Sequence, residues 1–153
     1  MHALRLHRAT LDDILAHARA VHPDECCGAV VREGDVERVV RFTNVQDRLH
    51  AQDPTTYPRT AQTAYTPDPR EQLAAERAAE KPGAGLAVLY HSHSVRGSYF
   101  SGEDQARALF DGEPIHPETA YLVVSDARTP GEARAFRWNP AANEYTEVPV
   151  EIV

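Results

Sequence analysis

The chain has 153 residues, a formal net charge of −7 and a pI near 5.6. That length suits one domain burying roughly 70% of its unfolded surface, and the acidic balance argues against nucleic acid as a main partner. No apolar run reaches the roughly 18 residues of a membrane span, the opening MHALRLHRATLDD lacks a signal-peptide core, and the adjacent Cys26 and Cys27 supply no disulfide framework. A cytoplasmic enzyme with no membrane partner is expected.

In chain order, residues 3–8 suggest a short edge strand. Thr10-x-x-Asp13 predicts a capping-box helix start, with Leu11, Ile14, Leu15, Ala18 and Val21 on one face and His22-Pro23 as its stop. His7, His17 and His22 read as surface histidines in preference to metal ligands. CCGAVV and VERVVRF suggest a strand pair about the turn Glu33-Gly34-Asp35, with Gly28 allowing a close backbone approach inside the first strand. Glu25 has no local feature that separates it from an exposed surface carboxylate. Cys27, two residues on, suits a small buried hydrophobe better than a zinc ligand.

Residues 44–68 carry Asn44, Gln46, Asp47, Arg48 and His50, then prolines at 54, 58 and 67, and show no periodicity. A connection this long is either a functional loop or a solvated linker. Asp68-Pro69-Arg70-Glu71 offers an N-cap, a proline at N1 and a glutamate at N3. The helix it predicts runs through LAAERAAE to Lys81-Pro82-Gly83.

The apolar run Leu86-Ala87-Val88-Leu89-Tyr90 predicts a buried strand that leads into HSHSVRGSYFSGED, residues 91–104. Alternation puts His91 and His93 on one face and Ser92 on the other. After a loop through Arg96-Gly97-Ser98, Ser101 opens a predicted helix, GEDQARALF, with Asp104 in its first turn, where free N–H groups and the helix dipole suit a carboxylate. Ser101 and Asp104 also have a purely structural explanation as a capping box. If the loop folds back, His91, His93 and Asp104 converge as three ligands with a fourth position open, the ligand count of a catalytic zinc. With eight histidines in the chain, a chance match to this four-residue spacing is on the order of one in a thousand. Ala120 to Ser125 then predicts an apolar strand. Arg134 to Trp138 and Tyr145 to Ile152 predict two final strands joined near Asn139-Pro140, with Trp138 in the core.

His91, His93, Ser101 and Asp104 stand at the spacing of the JAMM (MPN-plus) metallopeptidase motif, and residues 20–138 resemble that family, especially its small stand-alone bacterial members. The resemblance implies that His91, His93 and Asp104 bind one Zn2+ per chain with a water, and that Ser101 supports the oxyanion. It also implies a general base, because the family's Pro-x-Glu-x-Cys-Gly segment appears as Pro23-Asp24-Glu25-Cys26-Cys27-Gly28 and so singles out Glu25. Residues 44–68 then lie near the site, which makes His50 a candidate for substrate or metal contact. Two positions depart from the family pattern: Ser94 and Phe100 stand where prolines are usual.

The mixed order of elements predicts a single α/β domain spanning residues 1–153, a sheet flanked by helices. The resemblance implies the three-layer, cytidine-deaminase-like MPN fold. Other zinc enzymes fit less well, since the chain has no His-Glu-x-x-His, no deaminase Pro-Cys-x-x-Cys and too few residues for a (β/α)8 barrel. The implied reaction is hydrolysis of a peptide or isopeptide bond after the C-terminal Gly-Gly of a ubiquitin-like or sulfur-carrier protein. The alternatives are a non-catalytic MPN scaffold and a zinc amidase acting on small peptides.

Overall fold

The computed structural model describes residues 2–94, 97–125 and 132–153. Its elements are β1 (Leu4–Leu6), α1 (Arg8–Val21), β2 (Cys27–Glu33), β3 (Val36–Phe42), α2 (Gln46–Gln52), α3 (Pro69–Ala79), β4 (Ala84–His93), α4 (Gly102–Arg107), β5 (Leu109–Phe110), β6 (Glu113–Pro114), β7 (Ala120–Ser125), β8 (Glu132–Asn139), β9 (Glu144–Val148) and β10 (Val150–Ile152). Arg96, expected in the loop after the two histidines, lies outside the described residues.

Six strands form one mixed sheet in the order β3-β2-β4-β7-β8-β9. Gly34 takes φ +60°, the left-handed value that a tight hairpin asks of a first-position glycine, and β2 and β3 pair from Cys27↔Phe42 to Glu33↔Val36. β2 also pairs antiparallel with β4, Cys27 opposite His91 and Gly28 opposite Tyr90. β4 and β7 run parallel, with α4 in the crossover between them, as a parallel connection requires. All six residues of β7 are buried, the pattern of a strand covered on both faces.

Alternation along β2, β4 and β7 divides the core between the two faces. Val30, Val88, Tyr90, Leu122 and Val124 meet Leu11, Ile14 and Ala18 of α1 on one face. On the other, Cys27, Ala29 and Val31 pack with Ala75 of α3, and Tyr121, Val123 and Phe136 pack with Phe100 and Ala108. The result is a single α/β domain in three layers, helix, sheet and helix. Cys27 is buried, and desolvation pushes its thiol pKa well above the usual value, so it serves as a small hydrophobe. No helix among the described residues is long and apolar enough to cross a membrane.

Several local expectations are corrected. The first helix begins at Arg8, with His7 at the N-cap and no side-chain cap, so Thr10 and Asp13 form no capping box. Glu37 of β3 takes the His7 N–H at 3.0 Å and the Thr10 hydroxyl, a cap supplied from another element. The helix after Ser101 stops at Arg107, because Asp111 and Gly112 take φ +52° and +80° and turn the chain into the β5–β6 hairpin, as an Asp-Gly pair favours. The expected strand over Tyr145–Ile152 divides at Pro149, which has no N–H to donate. Its second half, β10, leaves the sheet to pair with β1. The 44–68 stretch contains a helix, α2. Trp138 is half-buried against Tyr145 at the core's margin.

Gly28 and His17 depend on the same tyrosine. A Cβ on Gly28 would lie 2.3 Å from Tyr90 Oη, so the close approach expected at this glycine is made by a ring and not by backbone. Tyr90 Oη bonds His17 Nδ1 at 2.7 Å, and His17, expected at the surface, is only 6% exposed. Burial lowers the His17 pKa to about 4, with Arg41 adding to the shift and Asp13 opposing it. The unfolded chain therefore takes up this proton more readily. The stabilisation is complete above the unfolded pKa near 6.5 and is lost as pH falls toward 4, by at most about 3 kcal/mol. The urea midpoint of metal-free protein should fall over that window, and His17→Gln should flatten the fall. Identical slopes for the two proteins would clear His17 of this role.

Candidate metal centre and hydrolytic site

Three backbone devices bring the candidate residues together. The first is strand alternation, which aims His91 and His93 from the end of β4 at the same side of the sheet. The second is the capping box of α4: Ser101 Oγ accepts the Asp104 N–H at 3.1 Å, and Asp104 Oδ2 accepts the Ser101 N–H at 3.1 Å. This cap fixes the first turn with the Asp104 carboxylate directed at the two imidazoles. The third is the β2–β4 register. Ser92 Oγ accepts the Cys26 N–H at 2.7 Å and the Ser92 N–H bonds Cys26 O at 3.0 Å, which ties the segment just before β2, next to Glu25, to the histidine-bearing end of β4.

His91, His93 and Asp104 are all buried and form a candidate metal-holding group. His91 Nε2 lies 3.2 Å from His93 Nε2 and 3.1 Å from Asp104 Oδ2, and His93 Nε2 lies 3.3 Å from the same oxygen. Tetrahedral ligands 2.0–2.1 Å from zinc are separated by about 3.3–3.4 Å, so the triangle nearly matches one face of such a polyhedron. The tautomer of His93 agrees with this. Its Nδ1 is 2.7 Å from Gly97 O, which can only accept, so Nδ1 carries the proton and the Nε2 lone pair faces the centre. Burial opposes ionisation of Asp104, but the His91 and His93 imidazoles beside it and the hydrogen bond from the Ser101 N–H outweigh it and hold the carboxyl well below the usual range. The donor set, two nitrogens and one oxygen with one side open, fits a zinc site.

Glu25, expected on local grounds at the surface, is 1% exposed. Its N–H bonds Ala61 O at 2.7 Å and its carbonyl accepts Asn44 Nδ2 at 2.9 Å. Together with Asp104 it lines a narrow crevice bordered by Thr63, Ala64, Tyr65 and Arg107. The rim comes from the 44–68 connection, and Asn44 organises that segment: besides Glu25 O it bonds Ala64 O, and its Oδ1 accepts the Gln46 and Thr66 N–H groups at 3.1 and 3.0 Å. His50 lies on α2, with Nδ1 2.7 Å from Tyr57 O. It is not in the His91–His93–Asp104 group.

The two positions that depart from the proline pattern have other anchors. Ser94 Oγ donates to Gln62 O at 2.9 Å. Phe100 is buried and stacks on Phe136 with centroids 5.3 Å apart. Loop restraint here comes from a hydrogen bond and a packed ring in place of two fixed φ angles. Two neighbours of the centre carry no sequence signal. The Tyr65 ring stacks on His91 at 4.4 Å, and the Arg107 guanidinium lies 4.8 Å from the Tyr65 centroid while donating to Tyr65 O.

Comparison with known proteins gives the family and fold. The family described as prokaryotic homologs of the JAB domain matches residues 7–139. A CysO-cysteine peptidase of Mycobacterium tuberculosis is 34% identical over 142 residues, 92% of this chain and 84% of the relative. A probable TtuB-protein conjugate cleaving protease of Thermus thermophilus is 33% identical over 86 residues, 56% of this chain and 50% of its own. A protein from Desulfitobacterium hafniense solved in solution superposes with a TM-score of 0.68 at 27% identity, covering 97% of this chain and 92% of that one. A JAB1/MPN domain protein from Archaeoglobus fulgidus shares the fold, with a TM-score of 0.58 at 15% identity over the whole of both chains. With a family match that spans both Glu25 and the His91–Asp104 segment, this chain belongs to the prokaryotic homologs of the JAB domain and has the JAB/MPN fold.

Proposed function

We propose that the chain is a zinc-dependent peptidase that hydrolyses the bond after the C-terminal Gly-Gly of a ubiquitin-like sulfur-carrier protein. The observation that carries this reading is the buried triangle of His91, His93 and Asp104, with Glu25 lining the same crevice as Asp104. Zinc held there supplies a Lewis acid that acidifies a water and polarises the scissile carbonyl. Glu25 takes the proton from the attacking water and passes it to the leaving nitrogen. Ser101 Oγ accepts from the Asp104 N–H, so its own hydroxyl proton is available to the developing oxyanion. Capping and catalysis thus use different parts of one side chain. The substrate class is supported by the relatives named for CysO and TtuB. A Gly-Gly tail is narrow, extended and free of Cβ atoms, so it can enter as an added strand between a sheet edge and the 44–68 connection, with backbone hydrogen bonds supplying affinity. His50, on the same connection, is a secondary candidate for substrate contact.

The test is to incubate zinc-loaded protein with a ubiquitin-like sulfur carrier extended by one residue after Gly-Gly and follow its mass. Loss of that residue, dependent on zinc and on Glu25, supports the proposal. An intact carrier with cleaved short acyl-peptides would make the chain a small-peptide amidase, and no cleavage of either would make it a scaffold. Ser101→Ala should lower stability by about 1 kcal/mol through the cap and raise the barrier by about 2.7–4 kcal/mol through the lost oxyanion donor. A destabilised variant with normal turnover would leave Ser101 only its structural role.

A further inference from the structure

The torsion that turns an imidazole about its Cβ–Cγ bond is broad and roughly two-fold, so a strand position alone does not set the plane of a histidine ring. His93 has its plane set by the hydrogen bond from Nδ1 to Gly97 O at 2.7 Å. His91 shows a different device. The Tyr65 ring lies on its face, with centroids 4.4 Å apart and planes 20° from parallel. Turning the imidazole out of that plane would drive its edge into the phenol ring. Asp104 Oδ2, 3.1 Å from His91 Nε2, then selects which edge faces the centre.

Tyr65 is itself held in place. The Arg107 guanidinium stands 4.8 Å from its ring centroid and donates to its carbonyl and, at 3.2 Å, to Thr66 Oγ1. Thr66 Oγ1 donates to Gln46 Oε1 at 2.7 Å, the Thr66 N–H reaches Asn44 Oδ1 at 3.0 Å, and the Val45 N–H reaches Thr66 O at 2.8 Å. Residues 65–66 are therefore tied both to the start of α2 and to the end of α4. Guanidinium, phenol and imidazole touch in sequence, so whatever fixes the Tyr65 ring also bears on His91.

We propose that Tyr65 is a positioning residue for the metal centre: clamped by Arg107, its ring fixes the plane of His91 and so presents Nε2 to a zinc ion. This rests on the zinc site of the function proposed above and adds the residue that orients one ligand before the metal arrives. An imidazole free to turn must give up that freedom on binding, which weakens affinity.

The experiment measures zinc dissociation constants by competition between the full-length protein and a chelating dye. Tyr65→Phe keeps the flat ring and should bind within about twofold of wild type. Tyr65 also packs against the side of the core that holds Cys27 and Phe42, so Tyr65→Leu is the test variant: it keeps apolar bulk and loses the plane. It should bind zinc about tenfold to a hundredfold more weakly, the usual range for loss of an outer-shell partner. Arg107→Ala supplies a sign. A cation one turn after Asp104 on α4, acting directly, repels a metal ion, and its removal would tighten binding. Acting through Tyr65, its removal weakens binding by about twofold to fivefold and has no further effect in the Tyr65→Leu background.

A second arm needs no metal. In chelator-treated protein the Tyr65 ring current should move the His91 ring protons upfield in the NMR spectrum, and the shift should persist in Tyr65→Phe and vanish in Tyr65→Leu. Wild-type affinity in Tyr65→Leu, equal losses in Tyr65→Phe and Tyr65→Leu, tighter binding by Arg107→Ala, or absence of the ring shift each overturns the proposal. A wild type that binds no zinc overturns the zinc site of the proposed function instead, and the ring shifts then judge whether Tyr65 orients His91.

Discussion

Glu25→Gln is expected to keep its zinc content and its unfolding midpoint while kcat falls by about 10² to 10⁴, the usual worth of a positioned general base. The substitution replaces one oxygen with an NH2 of nearly the same size, so the buried side chain keeps its volume. The backbone bonds to Ala61 O and from Asn44 Nδ2 are untouched. What is lost is the ability to accept a proton, since an amide oxygen is far too weak a base. Zinc content measured beside kcat separates a base from a ligand. A variant retaining more than about a tenth of wild-type turnover would remove Glu25 from that role. Loss of zinc in Glu25→Gln would make it part of the metal site instead.

The second large effect is on the metal. His93→Ala and Asp104→Ala are each expected to take bound zinc from one per chain to near zero by elemental analysis of protein purified without added metal. Two remaining ligands cannot hold the ion against water, and loss of an outer-shell partner alone typically costs 10- to 100-fold in affinity. Asp104→Ala also removes the acceptor of the Ser101 N–H. Asp104→Asn is the better control, because it preserves a capping oxygen while removing the charge. A chelator should lower the melting temperature of wild type, since a ligand that binds only the folded state stabilises it by mass action, and should leave that of His93→Ala unchanged. Zinc retained in both alanine variants would refute the assignment of the triangle.

The parts of the fold that were legible in the residues are those set by interactions a few positions apart. Period-two alternation placed His91 and His93 on one face, the Asp68-Pro69 start opened α3 where it was expected, and the Ser101–Asp104 spacing formed the capping box it predicted. The misses came from interactions between distant segments. Helix α2 has only seven residues and no side-chain cap, too short to persist alone. It is held by Asp47 Oδ1 accepting the Ala61 N–H and by Gln46 Nε2 donating to Arg59 O, partners 14 and 13 positions away. Asp111-Gly112 is itself a hairpin signal, and the turn it makes ends the helical pattern before Leu109 and Phe110.

By itself, then, the order of residues determined the local geometry of the candidate metal centre: two imidazoles on one strand face and a carboxylate in the first turn of the next helix, because strand pleat, helix cap and dipole act over a handful of bonds. Tertiary structure alone decided that Glu25 is buried, because its place comes from the β2–β4 register and from Asn44, 19 residues on. It also decided that Tyr65 and Arg107, 42 residues apart, stand together beside His91. Nothing near either residue encodes that meeting, which exists only once α4 packs against the 44–68 connection.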